Sequence, residues 1–104
     1  MNRLIGLLAA GLMVVAAPLA AQDAAVGQEI FDTKCSVCHN ADSADKKIGP
    51  GLAGIKDGKL PSGKDATDEN MTENLNKGGN GMPAFEKLLS DEEKADIIAY
   101  VKTL

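Results

Sequence analysis

Cys35-Ser36-Val37-Cys38-His39 places two thiols three positions apart, with an imidazole directly after the second. Thiols at this spacing followed by a histidine can attach a haem covalently. Each thiol adds across one haem vinyl group and leaves a thioether. A short helical turn between them matches their separation to that of the vinyls. A ring nitrogen of His39 then lies under the porphyrin, where it can bind iron as the proximal ligand. His39 is the sole histidine of the chain, so no other imidazole competes for the role.

The same residues admit other chemistry. A disulfide between Cys35 and Cys38 would close a very small loop and constrain the chain little. A dithiol oxidoreductase needs the motif beside a βαβ pattern, and no strand-like alternation is present. A structural zinc site needs four ligands, and Cys35, Cys38 and His39 supply three. Haem attachment is the reading these residues favour.

A six-coordinate iron needs a second ligand opposite His39. Met71 lies four residues from Leu75 on one face of a predicted helix and reads as core packing. Met82 sits instead in the loop Gly78-Gly79-Asn80-Gly81-Met82-Pro83-Ala84-Phe85. Its flanking glycines let the backbone approach a porphyrin closely, and Pro83 stiffens the exit from the loop. A neutral, soft thioether favours ferrous iron and raises the reduction potential. Met82 is the expected second ligand.

Three helices must position these groups. Residues 24–35 form the first, with Asp23 as N-cap and Val26, Gly27, Ile30 and Phe31 as its apolar face. It runs straight into the cysteine motif. Residues 68–77 form the second, capped by Thr67 or Asp68 and ended by Gly78-Gly79. The third starts at Ser90, whose spacing to Glu93 is a capping box. Ile97, Tyr100, Val101 and Leu104 share its apolar face, with Ile98 beside it. Residues 40–66 read as one long polar loop containing Pro50 and Pro61, a length that suggests it wraps something.

The N-terminus reads as an address rather than as fold. Arg3 precedes an apolar run of 14 residues, Leu4 to Ala17, broken by Pro18. This is the layout of a secretory signal peptide. At about 1.5 Å per residue the run falls short of a hydrocarbon core of about 30 Å, so no stable membrane anchor is expected. Cleavage is expected after Ala21, leaving residues 22–104 as one domain. A domain of that size has little core of its own, and a buried haem would complete it. The haem-free chain is therefore expected to be largely unfolded. The leader also fits the chemistry, because haem attachment of this kind takes place outside the cytoplasm, here the bacterial periplasm.

Together these motifs resemble the class I bacterial cytochromes c. The resemblance rests on Gly27-x-x-x-Phe31, Cys35-Ser-Val-Cys-His39, Gly49-Pro50-Gly51-Leu52, Gly81-Met82-Pro83, and a last helix carrying Ile97 and Tyr100. It implies a small all-α fold wrapped around one haem c per chain. It further implies that Gly27 and Phe31 meet Ile97 and Tyr100 where the first and last helices cross. The Pro50 carbonyl would accept the second ring N–H of His39, and Leu52 would pack on the haem. Many relatives hold a haem propionate with Trp or Tyr. This chain has no Trp and one Tyr, so Lys56, Lys59, Lys64 or backbone groups are the candidates here.

The implied function is a soluble one-electron carrier rather than an enzyme, because His39 and Met82 leave no open iron position. Its implied partners are redox proteins: a dehydrogenase, a cytochrome complex, an oxidase or a reductase. Without Arg3 the chain carries 10 lysines against 15 acidic residues, which disfavours nucleic acid. Lys46, Lys47, Lys77 and Lys87 could still form a local positive rim. A monomer is expected. A peroxidase or gas-binding protein, and a dedicated subunit of a larger redox complex, are the alternatives.

Overall fold

In the computed structural model of the protein, residues 22–104 are described; residues 1–21, expected to be a leader, lie outside them. The helices start where side chains can satisfy their free amides. Asp23 accepts hydrogen bonds from the amides of Ala25 and Val26, at 3.0 and 3.3 Å, and opens α1, Ala24–Lys34. Thr67 accepts from the Asn70 amide at 3.0 Å and opens α2, Asp68–Lys77. Ser90 and Glu93 form the expected reciprocal capping box at the head of α3, Asp91–Val101. Each cap answers amides that have no partner within their helix. A short 3₁₀ turn, Ile55–Asp57, interrupts the long loop. The described residues contain only two isolated β-bridges, Lys59 with Asp65 and Gly79 with Met82. The fold is all-α.

The core forms where α1 crosses α3. Gly27 permits the crossing, because a Cβ at this position would collide with the Asp96 carbonyl. Phe31, 1% exposed, packs edge-on against Tyr100 with ring centroids 5.4 Å apart. An edge-on aromatic pair contributes about 0.5–1.5 kcal/mol beyond its buried area. The buried carboxylate of Asp96 accepts the Asp23 amide at 2.8 Å, tying α3 to the start of α1. α2 adds Met71 and Leu75 to the same core.

Two expected faces need correction. Val26 is exposed, not part of the α1 face, which is buried only at Gly27 and Phe31. Ile30 packs half-buried against the same core. Leu104 lies beyond the end of α3, and its carbonyl accepts the Gly54 amide at 2.9 Å. It therefore fastens the long loop rather than extending the helix face. The loop also carries core anchors of its own, Leu60 and Ala66, which the sequence pattern did not distinguish from the polar residues around them.

One lysine is buried as well. The Lys94 ammonium reaches Asn76 Oδ1 at 2.6 Å, with the Glu86 carbonyl and Asp91 each at 3.4 Å. These partners supply the hydrogen bonds that a buried ammonium requires. They also link α3, the end of α2 and the segment between them. No helix among the described residues is long and apolar enough to cross a membrane.

Candidate functional site

The cysteine motif continues the last turn of α1. Cys35 is its C-cap, and its amide bonds to the Phe31 carbonyl at 2.8 Å. The amides of Cys38 and His39 both return to the Cys35 carbonyl, at 3.1 and 3.0 Å. This turn holds both thiols and the imidazole in a fixed register. Phe31, buried one turn earlier, anchors it to the core.

The loop after the motif folds back along it. The Gly49 amide bonds to the Cys38 carbonyl at 2.7 Å, and the Leu52 amide bonds to the Asn40 carbonyl at 2.8 Å. Between these two tethers, His39 Nδ1 lies 2.7 Å from the Pro50 carbonyl oxygen. A carbonyl can only accept, so the contact assigns a proton to Nδ1; in the neutral tautomer this leaves the lone pair on Nε2. Gly49 makes room for the ring: a Cβ there would stand 2.7 Å from His39 Cε1 and 3.0 Å from Nδ1. Lys47 adds a further tie, its Nζ donating to the Ser36 carbonyl at 2.8 Å.

The setting of Cys35 is unlike that of a reactive redox thiol. No disulfide joins Cys35 and Cys38. Burial, reinforced by Cys38 beside it, pushes the Cys35 thiol up to about 11, and Lys34 offsets this only in part. Reactive dithiols are instead depressed below the ordinary thiol range. Among the described residues, no group of three or more His, Cys, Asp or Glu side chains converges as a metal site.

Met82 is positioned by a reversal of the chain. Asn80 and Gly81 both have positive φ, 53° and 92°. The Gly79 and Met82 amides each bond to the other's carbonyl, at 2.9 and 3.0 Å. This is a two-residue turn of the type that Asn-Gly favours. Beyond it, the buried Phe85 donates its amide to the Leu75 carbonyl at 2.7 Å and returns the loop to α2. Met82 is half-buried, and its sulfur accepts from Asn74 Nδ2 at 3.8 Å. Asn74 was not singled out in the sequence. Its only signal there is a polar residue one position before a core leucine.

Cys35, Leu52 and Met82 all pack, half-buried, against the same apolar core. A thiol pair, an imidazole with one free ring nitrogen, a thioether and an apolar wall form a donor set that fits a haem. Of the lysines considered for its propionates, Lys59 and Lys64 are engaged in exposed ion pairs with Asp65 and Glu73. Lys77 also pairs with Glu73, at 3.6 Å, which leaves it less free to act as part of a positive rim.

The comparisons with known proteins agree with this geometry. The family model described as "Cytochrome C oxidase, cbb3-type, subunit III" matches residues 22–101. Cytochrome c2 of Blastochloris viridis is 34% identical over 113 residues, covering 88% of this chain and 88% of the relative. The chain belongs to the class I monohaem cytochromes c. Cytochrome c6 of Picosynechococcus sp. is also 34% identical, over 93 residues, covering 81% of this chain and 75% of the relative. Among solved structures, cytochrome c6 from the diatom Phaeodactylum tricornutum superposes with a TM-score of 0.61 at 33% identity. That match covers 78% of this chain and 92% of the diatom protein. Cytochrome cH from Methylobacterium extorquens gives 0.55 at 29% identity, covering 79% and 99%. These relatives are electron-transfer proteins rather than enzymes, and membership of the family brings with it a haem and its iron.

Proposed function

We propose that this cytochrome is a soluble one-electron carrier with one haem c per chain. The observation that carries the reading is the hydrogen bond from His39 Nδ1 to the Pro50 carbonyl, which would leave Nε2 to bind iron when the haem is attached. In this reading Cys35 and Cys38 hold the haem through two thioethers. His39 and Met82 are the axial ligands, and Leu52 packs on the macrocycle. The bound haem supplies a single iron that alternates between Fe(III) and Fe(II).

The protein's part is to hold, orient and shield. The two tethers beside His39 keep its ring from turning between redox states. The thioether of Met82 occupies the position a peroxidase or gas-binding protein would leave open. Val37 and Ile48, 64% and 69% exposed, lie within and beside the motif and offer an apolar surface for a redox partner. A dehydrogenase, a cytochrome complex, an oxidase or a reductase fits that role. Residues 1–21 act as the cleaved leader, and the mature protein, residues 22–104, is a periplasmic monomer.

Two measurements on protein from a periplasmic fraction test the reading. Haem should stay on the polypeptide through denaturing electrophoresis, and potentiometry should give a single one-electron wave. Release of haem on denaturation would remove the thioether assignment. Fast carbon monoxide binding to the reduced protein would remove Met82 as ligand. The matching family, described as an oxidase subunit, favours a second reading, a subunit of a larger redox complex. Co-purification of a stable partner would select it.

A further inference from the structure

Asp96 is a buried carboxylate, 5% exposed, at the crossing of α1 and α3. Its Oδ1 accepts the Asp23 amide at 2.8 Å. Among the described residues, Oδ2 has no hydrogen-bond partner and no lysine pairs with this carboxylate. A buried carboxylate is costly unless it is paired and hydrogen-bonded. The positive end of the α1 dipole offsets part of that cost. A second carboxylate, Asp23, stands at the same helix head, committed to the amides of Ala25 and Val26.

The lysines of the two crossing helices are placed elsewhere. Lys34 lies in the last turn of α1, at the opposite end from Asp23. Lys94 is committed to Asn76, the Glu86 carbonyl and Asp91. Lys102, just beyond α3, pairs with Asp68 at 2.9 Å. One further cation arises from processing. Hydrolysis of the Ala21–Gln22 peptide bond leaves a carboxylate on Ala21 and a free α-ammonium on Gln22. Gln22 is exposed and immediately precedes Asp23. Successive backbone nitrogens lie about 3–4 Å apart. The Asp23 nitrogen is already held against Asp96, so the new ammonium arises beside the unpartnered oxygen.

We propose that Asp96 is the receiving site for the mature N-terminus. Resting on the reading of residues 1–21 as a leader cut after Ala21, the Gln22 α-ammonium donates to Asp96 Oδ2 and neutralises it. Before the cut, the same nitrogen is an uncharged amide. Removal of the leader therefore tightens the α1–α3 crossing, where Phe31 meets Tyr100 and anchors the cysteine motif.

The test uses the haem-loaded protein from the periplasm, cut from its own leader. Intact mass reads its N-terminus. Melting temperatures are compared for the mature protein, the protein with one glycine inserted between Ala21 and Gln22, Asp96→Asn, and the two changes combined. The insertion moves the ammonium one residue away. Asp96→Asn keeps an acceptor for the Asp23 amide and removes the charge. The insertion alone should lower the melting temperature by about 5–10 °C, the shift expected for one charge-assisted bond in a domain of this size. In Asp96→Asn the same insertion should change little. A second readout keeps to the wild-type chain. A paired ammonium holds its proton, so at neutral pH the α-amine should be acylated about tenfold more slowly in the folded protein than in denaturant. Gln22 is exposed, so access alone would not slow the reaction. Equal shifts from the insertion in both backgrounds, or equal acylation in folded and unfolded protein, would overturn the inference. So would a terminal Gln22 that has cyclised with loss of ammonia, because the lactam carries no charge. A mature chain that begins at another residue removes the leader reading, and the inference falls with it.

Discussion

The two sides of the site are held in different ways. On the histidine side, the backbone of His39 continues a helical turn, its ring is bonded to Pro50 at 2.7 Å, and Gly49 lies against the ring. Tethers at Gly49 and Leu52 brace that segment from both ends. On the methionine side, a two-residue turn fixes the backbone, but a flexible side chain is left with one sulfur contact at 3.8 Å. The imidazole is restrained by a short hydrogen bond and a braced backbone, whereas the thioether has packing against the core and one weak hydrogen bond. In the reading proposed above, the haem would be held chiefly through the histidine side and its potential adjusted through the methionine side.

The sharpest break of this comparison is to remove each ligand in turn. His39→Ala should abolish haem loading and with it the cooperative fold, leaving a chain with little helical circular dichroism. Met82→Ala should keep the covalent haem and most of the helix content. It should open the iron to carbon monoxide in the reduced form. Equal loss of fold in both variants would refute the asymmetry.

A gentler comparison uses the glycines. Gly49→Ala drives a methyl group into the His39 ring and should destabilise the protein by about 1–3 kcal/mol, the usual range for overpacking. Gly81→Ala meets open space and carries only the penalty of positive φ, about 1–2 kcal/mol. Thermal melts give the stabilities. The spectrum should move more for Gly49→Ala on the proximal side, and more for Gly81→Ala in the methionine–iron band.

The smallest effect expected is electrostatic and far from either ligand. Hydrogen bonding and attraction from Lys64, helped by Lys77, hold the Glu73 carboxyl below its usual range. A lowered carboxyl contributes stability above its unfolded pKa and loses it as the pH falls through the folded value. The pair is exposed and screened, so Lys64→Ala should leave the melting temperature at neutral pH nearly unchanged. It should flatten the acid limb of the stability curve slightly. A large loss at neutral pH would mean the pair supports the loop rather than the surface.

Local signals made much of the architecture legible. Asp23 and Ser90 cap the helices assigned to them, and of the two candidates for the second helix the cap is Thr67, with Asp68 its first residue. The cysteine motif is contiguous, so its register survives any error about distant packing. What escaped the sequence depends on chain reversal. Leu60 and Ala66 are buried in an aperiodic loop, where no spacing separates a core residue from an exposed one. Val26 obeys the helical period but lies outside the narrow contact that Gly27 allows. Asn74 meets Met82 only because Asn80 and Gly81 turn the chain back. A pair formed across a turn leaves no periodic trace in either partner.

The central claim is that His39 and Met82 together close the iron. The optical spectrum of the purified protein, oxidised and then reduced and extended to the far red, tests it most directly. A low-spin spectrum with the weak methionine–iron charge-transfer band in the oxidised form is the result expected of a six-coordinate carrier. A high-spin spectrum without that band would mean an open sixth position and would contradict the account.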